Sequence, residues 1–182
     1  MSVAATVGGT PVAVAEVDAR EARLRASRSS SSLPRPGTSE GRQLRRWLTQ
    51  LLVTERVVAA EAAARGLRAD NAPTEEDLLP GMAVRLEIGS VAASVLGDPL
   101  ARALFADVTA DVDVTADAVA AYESRNPLRF PDSAAVADHL RAAARRRAFR
   151  LWLDSRCAEL VELAPGYEHP GDPRQPDNTH RH

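Results

Sequence analysis

The chain has 182 residues, 45% of them hydrophobic and 26% charged, with a formal net charge of −2. That size and apolar content suffice for one compact domain with a buried core, and the near-neutral balance excludes a global attraction to nucleic acid or to an anionic membrane surface. All 23 basic residues other than histidine are arginine, as in a GC-rich coding bias, so no Schiff-base or P-loop lysine exists.

Val3–Val7 has the apolar character of a strand, and Gly8-Gly9 supplies the positive φ of a tight turn. Val12 and Val14 then pair back before a helix from near Ala15 to about Arg28. The stretch from Ser27 to Gly37 is serine-rich and broken by Pro34 and Pro36, which predicts a mobile loop over 28–38. Thr38 or Ser39 caps a long helix in which Leu44, Leu48, Leu51, Val58 and Ala62 recur at helical spacing, with Gly66 as its left-handed stop.

Thr74 followed by Glu75, Glu76 and Asp77 is a helix start with acids at the positive end of the dipole, and Pro80-Gly81 breaks it. A single run is expected from Met82 to Leu96, then a short helix opened by Pro99 and carrying Leu104 and Phe105. A strand over Asp111–Val114 leads to Thr115, which caps Ala116–Ser124, and Asn126-Pro127 stops that helix. From Ser133 to about Leu163 one long helix carries Val136, Leu140, Phe149, Leu153, Leu160 and Leu163 as its apolar positions. The tail 166–182 lacks apolar periodicity and gains order only by lying on another surface.

Four motifs invite a chemical reading. Gly37-Thr-Ser-Glu-Gly41 has the spacing of a hydrolase nucleophile elbow, but the preceding Ser-Ser-Leu-Pro-Arg-Pro is no buried strand, so Ser39 reads as a helix cap. Asp111-Val-Asp-Val-Thr115 resembles a phosphatase nucleophile loop, yet the chain has no lysine to hold the phosphate; as a calcium loop it has Ala116 where glycine belongs. His139 and Cys157 on one helix lie about 27 Å apart, too far for a dyad. Arg141, Arg145, Arg146 and Arg150 form two i, i+4 pairs that read as a solvated basic stripe for meeting acidic partners. Few aromatics stand among these arginines and the net charge is negative, which argues against nucleic acid.

His169, His180 and His182 in the tail, with Glu168, Asp172 and Asp177, provide nitrogen and oxygen ligands suited to zinc or nickel. Their spacing matches no closed site, and the prolines favour an extended strip docked on the core. No other cofactor is expected. The single cysteine excludes an internal disulfide, and the start of the chain lacks the long apolar run of a signal peptide, so a cytoplasmic protein is expected with no membrane partner.

Two blocks, roughly 3–67 and 112–165, resemble SurA-type chaperones and their parvulin-type peptidyl-prolyl isomerase relatives. The resemblance rests on the Val3–Val7 strand with Gly8-Gly9-Thr10-Pro11-Val12, on Glu16-Val17-Asp18, and on the Ala60–Gly66 helix end. It continues in Val114-Thr115, Tyr122, Asn126-Pro127 and Phe130. It implies a mainly α fold: a SurA-N-like helical domain over 1–165 with a small N-terminal β-element and a C-terminal helix folding back on the first block. It also implies an apolar cleft for unfolded or extended chains, with Leu48, Leu51, Leu52, Val58, Phe149, Trp152 and Leu153 lining the core or the cleft. The isomerase domain of that family should follow Phe130, but only Pro131-Asp132 precedes the closing helix, so no isomerase residue is carried over. The function expected is a non-catalytic module that holds a polypeptide or protein partner. The alternative is a small accessory enzyme, or a carrier-protein partner in a biosynthetic pathway, using the histidine tail.

Overall fold

The computed structural model describes residues 1–27 and 30–178. It is mainly helical with one small sheet. Strands β1 (Val3–Val7) and β2 (Thr10–Ala13) lead into helices α1 (Val14–Ala26) and α2 (Ser39–Ala64). Helices α3 (Glu75–Leu78), α4 (Gly81–Ile88), α5 (Ser90–Val95), α6 (Pro99–Val108) and α7 (Ala116–Arg125) follow, then α8 (Ser133–Leu160) and strand β3 (Val161–Leu163). Where a single compact domain was expected, the chain divides into two compact units, Met1–Ala60 with Arg156–His182 and Glu61–Ser155.

The first unit is organised by the sheet, whose order is β2-β1-β3 with both pairings antiparallel. Gly8 and Gly9 both have positive φ, which closes the β1–β2 hairpin and sets Val7 opposite Thr10. On the other edge of β1, Ala5 faces Leu163 and Val7 faces Val161. The end of the chain therefore returns to the first strand through a strand. The expected single helix to Leu163 stops at Leu160, because Val161-Glu-Leu163 finds ladder partners on β1 that a helix would forgo. Ala4, Val17 and Leu48 form the buried centre, with Val14, Leu24, Leu44, Trp47, Leu52 and Tyr167 packed around them.

Ion pairs tie α1 to α2 in this unit. Arg45 donates to Glu21 at 2.7 Å and to Asp18 at 2.7 Å, and Arg20 donates to Glu55 at 2.7 Å. Burial works against the charge of Arg45, but hydrogen bonds with Tyr167, Asp18 and Glu21 outweigh it and hold the guanidinium above its ordinary value. The serine- and proline-rich stretch is anchored at Pro34, whose carbonyl accepts from Arg25 at 2.8 Å. Positions 28 and 29 of the expected mobile loop lie outside the described residues. Thr38, not Ser39, caps α2: its hydroxyl accepts the Gly41 N–H at 3.0 Å, and Ser39 is the first helical residue.

The second unit contains α3 to α7, the end of α2 from Glu61 and most of α8, to Ser155. Thr74 and Asp77 cap α3 reciprocally, each side chain accepting the other's backbone N–H. The run expected from Met82 to Leu96 is broken at Gly89, whose φ of 96° ends α4 and starts α5. Asp98 caps α6 with Pro99 in the first helical position, and Thr115 caps α7. Asp111–Val114 is not a strand: the Asp113 carboxylate accepts its neighbour's N–H on Val114 at 2.8 Å and turns the chain into α7. Phe105 and Phe149 meet with ring centroids 5.0 Å apart, and Leu79, Ile88, Leu96, Leu104 and Leu153 complete the core. Among the described residues no helix is long and apolar enough to cross a membrane.

Candidate functional site

The second unit holds a cleft of about 590 Å³, a volume in the range of ligand-binding pockets. Pro73, Asp77 and Leu78 line it from α3 and the segment before it. Phe105, Ala106, Thr109 and Ala110 line it from α6 and the turn that follows, and Asp138, Arg141, Ala142, Arg145 and Arg146 from α8. Sequence dictates most of this. Proline and the Thr74 cap fix where α3 begins, and small alanines on α6 and α8 leave a gap that larger side chains would close. Arg102 braces the edge by donating to the Pro73 carbonyl at 2.7 Å and the Gly97 carbonyl at 2.8 Å. Phe149 backs the floor through its contact with Phe105.

The charges in the cleft are unequal in their commitments. Arg141 is engaged by Asp113 at 2.9 Å and Asp138 at 2.7 Å. The Asp77 carboxylate is taken up by the Thr74 N–H at 3.0 Å. Arg146 is 8% exposed, and its Nη1 donates only a long 3.5 Å bond to the Leu78 carbonyl. Its Nε is buried with no hydrogen-bond partner among the described residues, and the Nε of half-buried Arg145 is in the same position. Burial pushes the Arg146 guanidinium below its ordinary value, countered only in part by the charge of Glu87. Because unpaired buried charge is costly, native folds keep it when something else answers it.

The expected basic stripe is thereby corrected. Arg146 is not a solvated member of it, and Arg150 is tied to the Ile88 carbonyl and to Asp154. Of the four arginines, Arg141, Arg145 and Arg146 meet in the cleft, and Arg150 does not line it.

Leu48 and Leu51 are buried in the first unit with Leu52 half-buried; Phe149 and Leu153 are buried in the second with Trp152 half-buried and stacked on Phe149. None of these six lines the cleft. Of the other lining residues, Phe105 was expected only as an apolar position of its helix, and Leu78 and Thr109 were not singled out by sequence. The one available signal was the alanine spacing of α6 and α8.

In the tail, His169 is exposed and its Nδ1 accepts the Gly171 N–H at 2.9 Å. His180 and His182 lie outside the described residues. Among the described residues no three His, Cys, Asp or Glu side chains gather as a metal-binding group. The tail docks on α2 through Asp177, which binds Arg42 at 2.5 Å and Arg46 at 2.6 Å. His139 packs at a tilt against the rings of Phe130 and Tyr122, and the Cys157 thiol lies 3.9 Å from the Thr54 hydroxyl.

Fold and site together define a mainly helical protein with a small sheet and an arginine-lined cleft. Residues 3–40 match the model of a family of unknown function (DUF7158). That stretch covers the hairpin, α1 and the first residues of α2, and it ends before the first residue lining the cleft. No curated protein and no solved structure matches the chain.

Proposed function

We propose that the chain is a cytosolic, non-catalytic binding module that holds a segment of a polypeptide partner, in the manner of the substrate-binding domain of SurA-type chaperones. The observation that carries this reading is the cleft itself. It joins an apolar floor, Leu78, Phe105 and Ala142, to the side chains of Arg145 and Arg146, whose Nε atoms have no hydrogen-bond partner among the described residues. An apolar floor with a few polar groups that fix orientation is the usual build of a recognition site. The hairpin that opens the chain and the pairing of β3 with β1, which brings Val161–Leu163 back to the first strand, support the likeness to that family.

In this reading the partner contributes apolar side chains that leave water for the cleft, at roughly 25 cal/mol per Å² of apolar surface buried. Exposed Ala106 stands at the rim and offers a way to fill the space without touching a buried group. An Ala106→Trp variant should keep the far-ultraviolet circular dichroism of the parent and lose the capacity to slow aggregation of a chemically unfolded client. Equal protection by both proteins sinks the assignment of the cleft. Capture of one folded enzyme, with no effect on unfolded chains, favours the accessory-partner alternative.

A further inference from the structure

We infer that Arg145 and Arg146 form a carboxylate receptor, so that the segment held in the cleft carries an aspartate or glutamate side chain flanked by apolar residues. The inference rests on the reading of the cleft as a polypeptide site and specifies what that site selects.

A guanidinium offers five N–H donors in one plane. Arg146 is more than nine-tenths buried and spends one of them on a long bond to the Leu78 carbonyl. Its Nε and that of its neighbour Arg145 are enclosed without an acceptor among the described residues, so a ligand in the cleft would meet the Nη groups of the two side chains. The acids nearby do not supply one. Asp138 and Asp113 are paired with Arg141, and Asp77 caps α3. Glu87 acts on Arg146 only through its charge, without an ion pair. Two donors-only groups are therefore set side by side in a wall whose own acids are already committed.

The chemistry of the surroundings narrows the ligand. A planar carboxylate matches the guanidinium fork with two parallel hydrogen bonds. A phosphate dianion matches it too, but would stand in a cleft that also holds the charges of Asp77 and Asp138, which oppose a second negative charge more than the first. Apolar Leu78, Phe105 and Ala142 beside the arginines suit the neighbours of a single acid in an otherwise apolar segment. Because the proposed ligand is a segment rather than a chain end, the acid assigned is a side chain.

The test uses the full chain and three labelled hexapeptides of leucine and phenylalanine, read by fluorescence anisotropy. One carries a central glutamate with both ends capped, one the corresponding glutamine with both ends capped, and one the glutamine with a free C-terminal carboxylate. The glutamate peptide should bind about tenfold or more tightly than the capped glutamine peptide. That preference should shrink to below about twofold in Arg146→Gln and, as a second variant, in Arg145→Gln, and weaken with added salt. Equal binding of the two capped peptides overturns the receptor and leaves the polypeptide site standing. A preference for the free C-terminus over the glutamate overturns the side-chain assignment. Failure of all three peptides to bind overturns both readings.

Discussion

Asp177 accepts a 2.6 Å hydrogen bond from Nη1 of Arg46, a side chain on α2 that is only 2% exposed. Glu168 stands farther off, at 3.5 Å from the same guanidinium. The tail is thus part of the first unit's structure, because without Asp177 a buried arginine keeps only a distant partner. Asp177→Asn removes the charge while keeping the shape. It should cost about 1–3 kcal/mol, the range for weakening a buried charge-assisted pair whose other half stays in place. The check is the urea midpoint monitored at Trp47, which belongs to the same unit; an unchanged midpoint would mean that the tail contributes nothing to it.

The acid dependence follows from the same contacts. Hydrogen bonds from Arg42 and Arg46 hold the Asp177 carboxyl well below the usual carboxylate range. Burial opposes ionisation of Glu21, but Arg45 and Arg25 outweigh it and lower that group as well. A carboxyl whose folded value is depressed stabilises the fold fully above its unfolded value, near pH 4, and that contribution fades as the pH falls further. Stability should therefore be level from about pH 7 to 5 and decline below about pH 4. The decline should be shallower in Asp177→Asn, which has already lost one of the groups. Denaturant midpoints across that range decide it, and a profile identical in the two proteins counts against the clamp.

Arg146 should behave in the opposite sense. Replacing a buried, unpaired guanidinium by methionine removes the desolvation cost and keeps most of the volume. Arg146→Met should be neutral or more stable by up to about 2 kcal/mol while losing peptide binding. A gain in stability with loss of binding is the mark of a residue held for its ligand. A loss of several kcal/mol would instead show that the long bond to Leu78 makes Arg146 a structural strut.

Much of the fold was legible because its punctuation is local. The Gly8-Gly9 turn, the Thr74, Pro99 and Thr115 helix starts and the spacing of leucines on α2 act within a few residues of where they stand. What escaped depends on distant partners. Val161–Leu163 continues the apolar period of α8 and becomes a strand only because β1 has a free edge. Leu48 and Phe149 have the composition of either a core or a cleft, and only tertiary packing assigns them to the core. The arginines of α8 look alike in sequence. Their fates diverge through Asp113, Ile88 and Leu78, which lie 28, 62 and 68 positions away from Arg141, Arg150 and Arg146 respectively.

Gly89 shows how one residue can redirect such a pattern. Val84, Ile88, Val91 and Val95 keep a helical period across it, yet its φ of 96° and ψ of 151° lie in a region essentially closed to side-chain-bearing residues. A Cβ there would also overlap the guanidinium of Arg150, which donates to the Ile88 carbonyl at the end of α4. Gly89→Ala must strain the backbone, displace Arg150, or both, and should cost about 1–3 kcal/mol. Combining it with Arg150→Ala separates the two causes, because removing the guanidinium relieves the overlap and leaves the φ untouched. If the double variant is as unstable as the sum of the single changes, the backbone carries the cost; if it is markedly less so, the clash does.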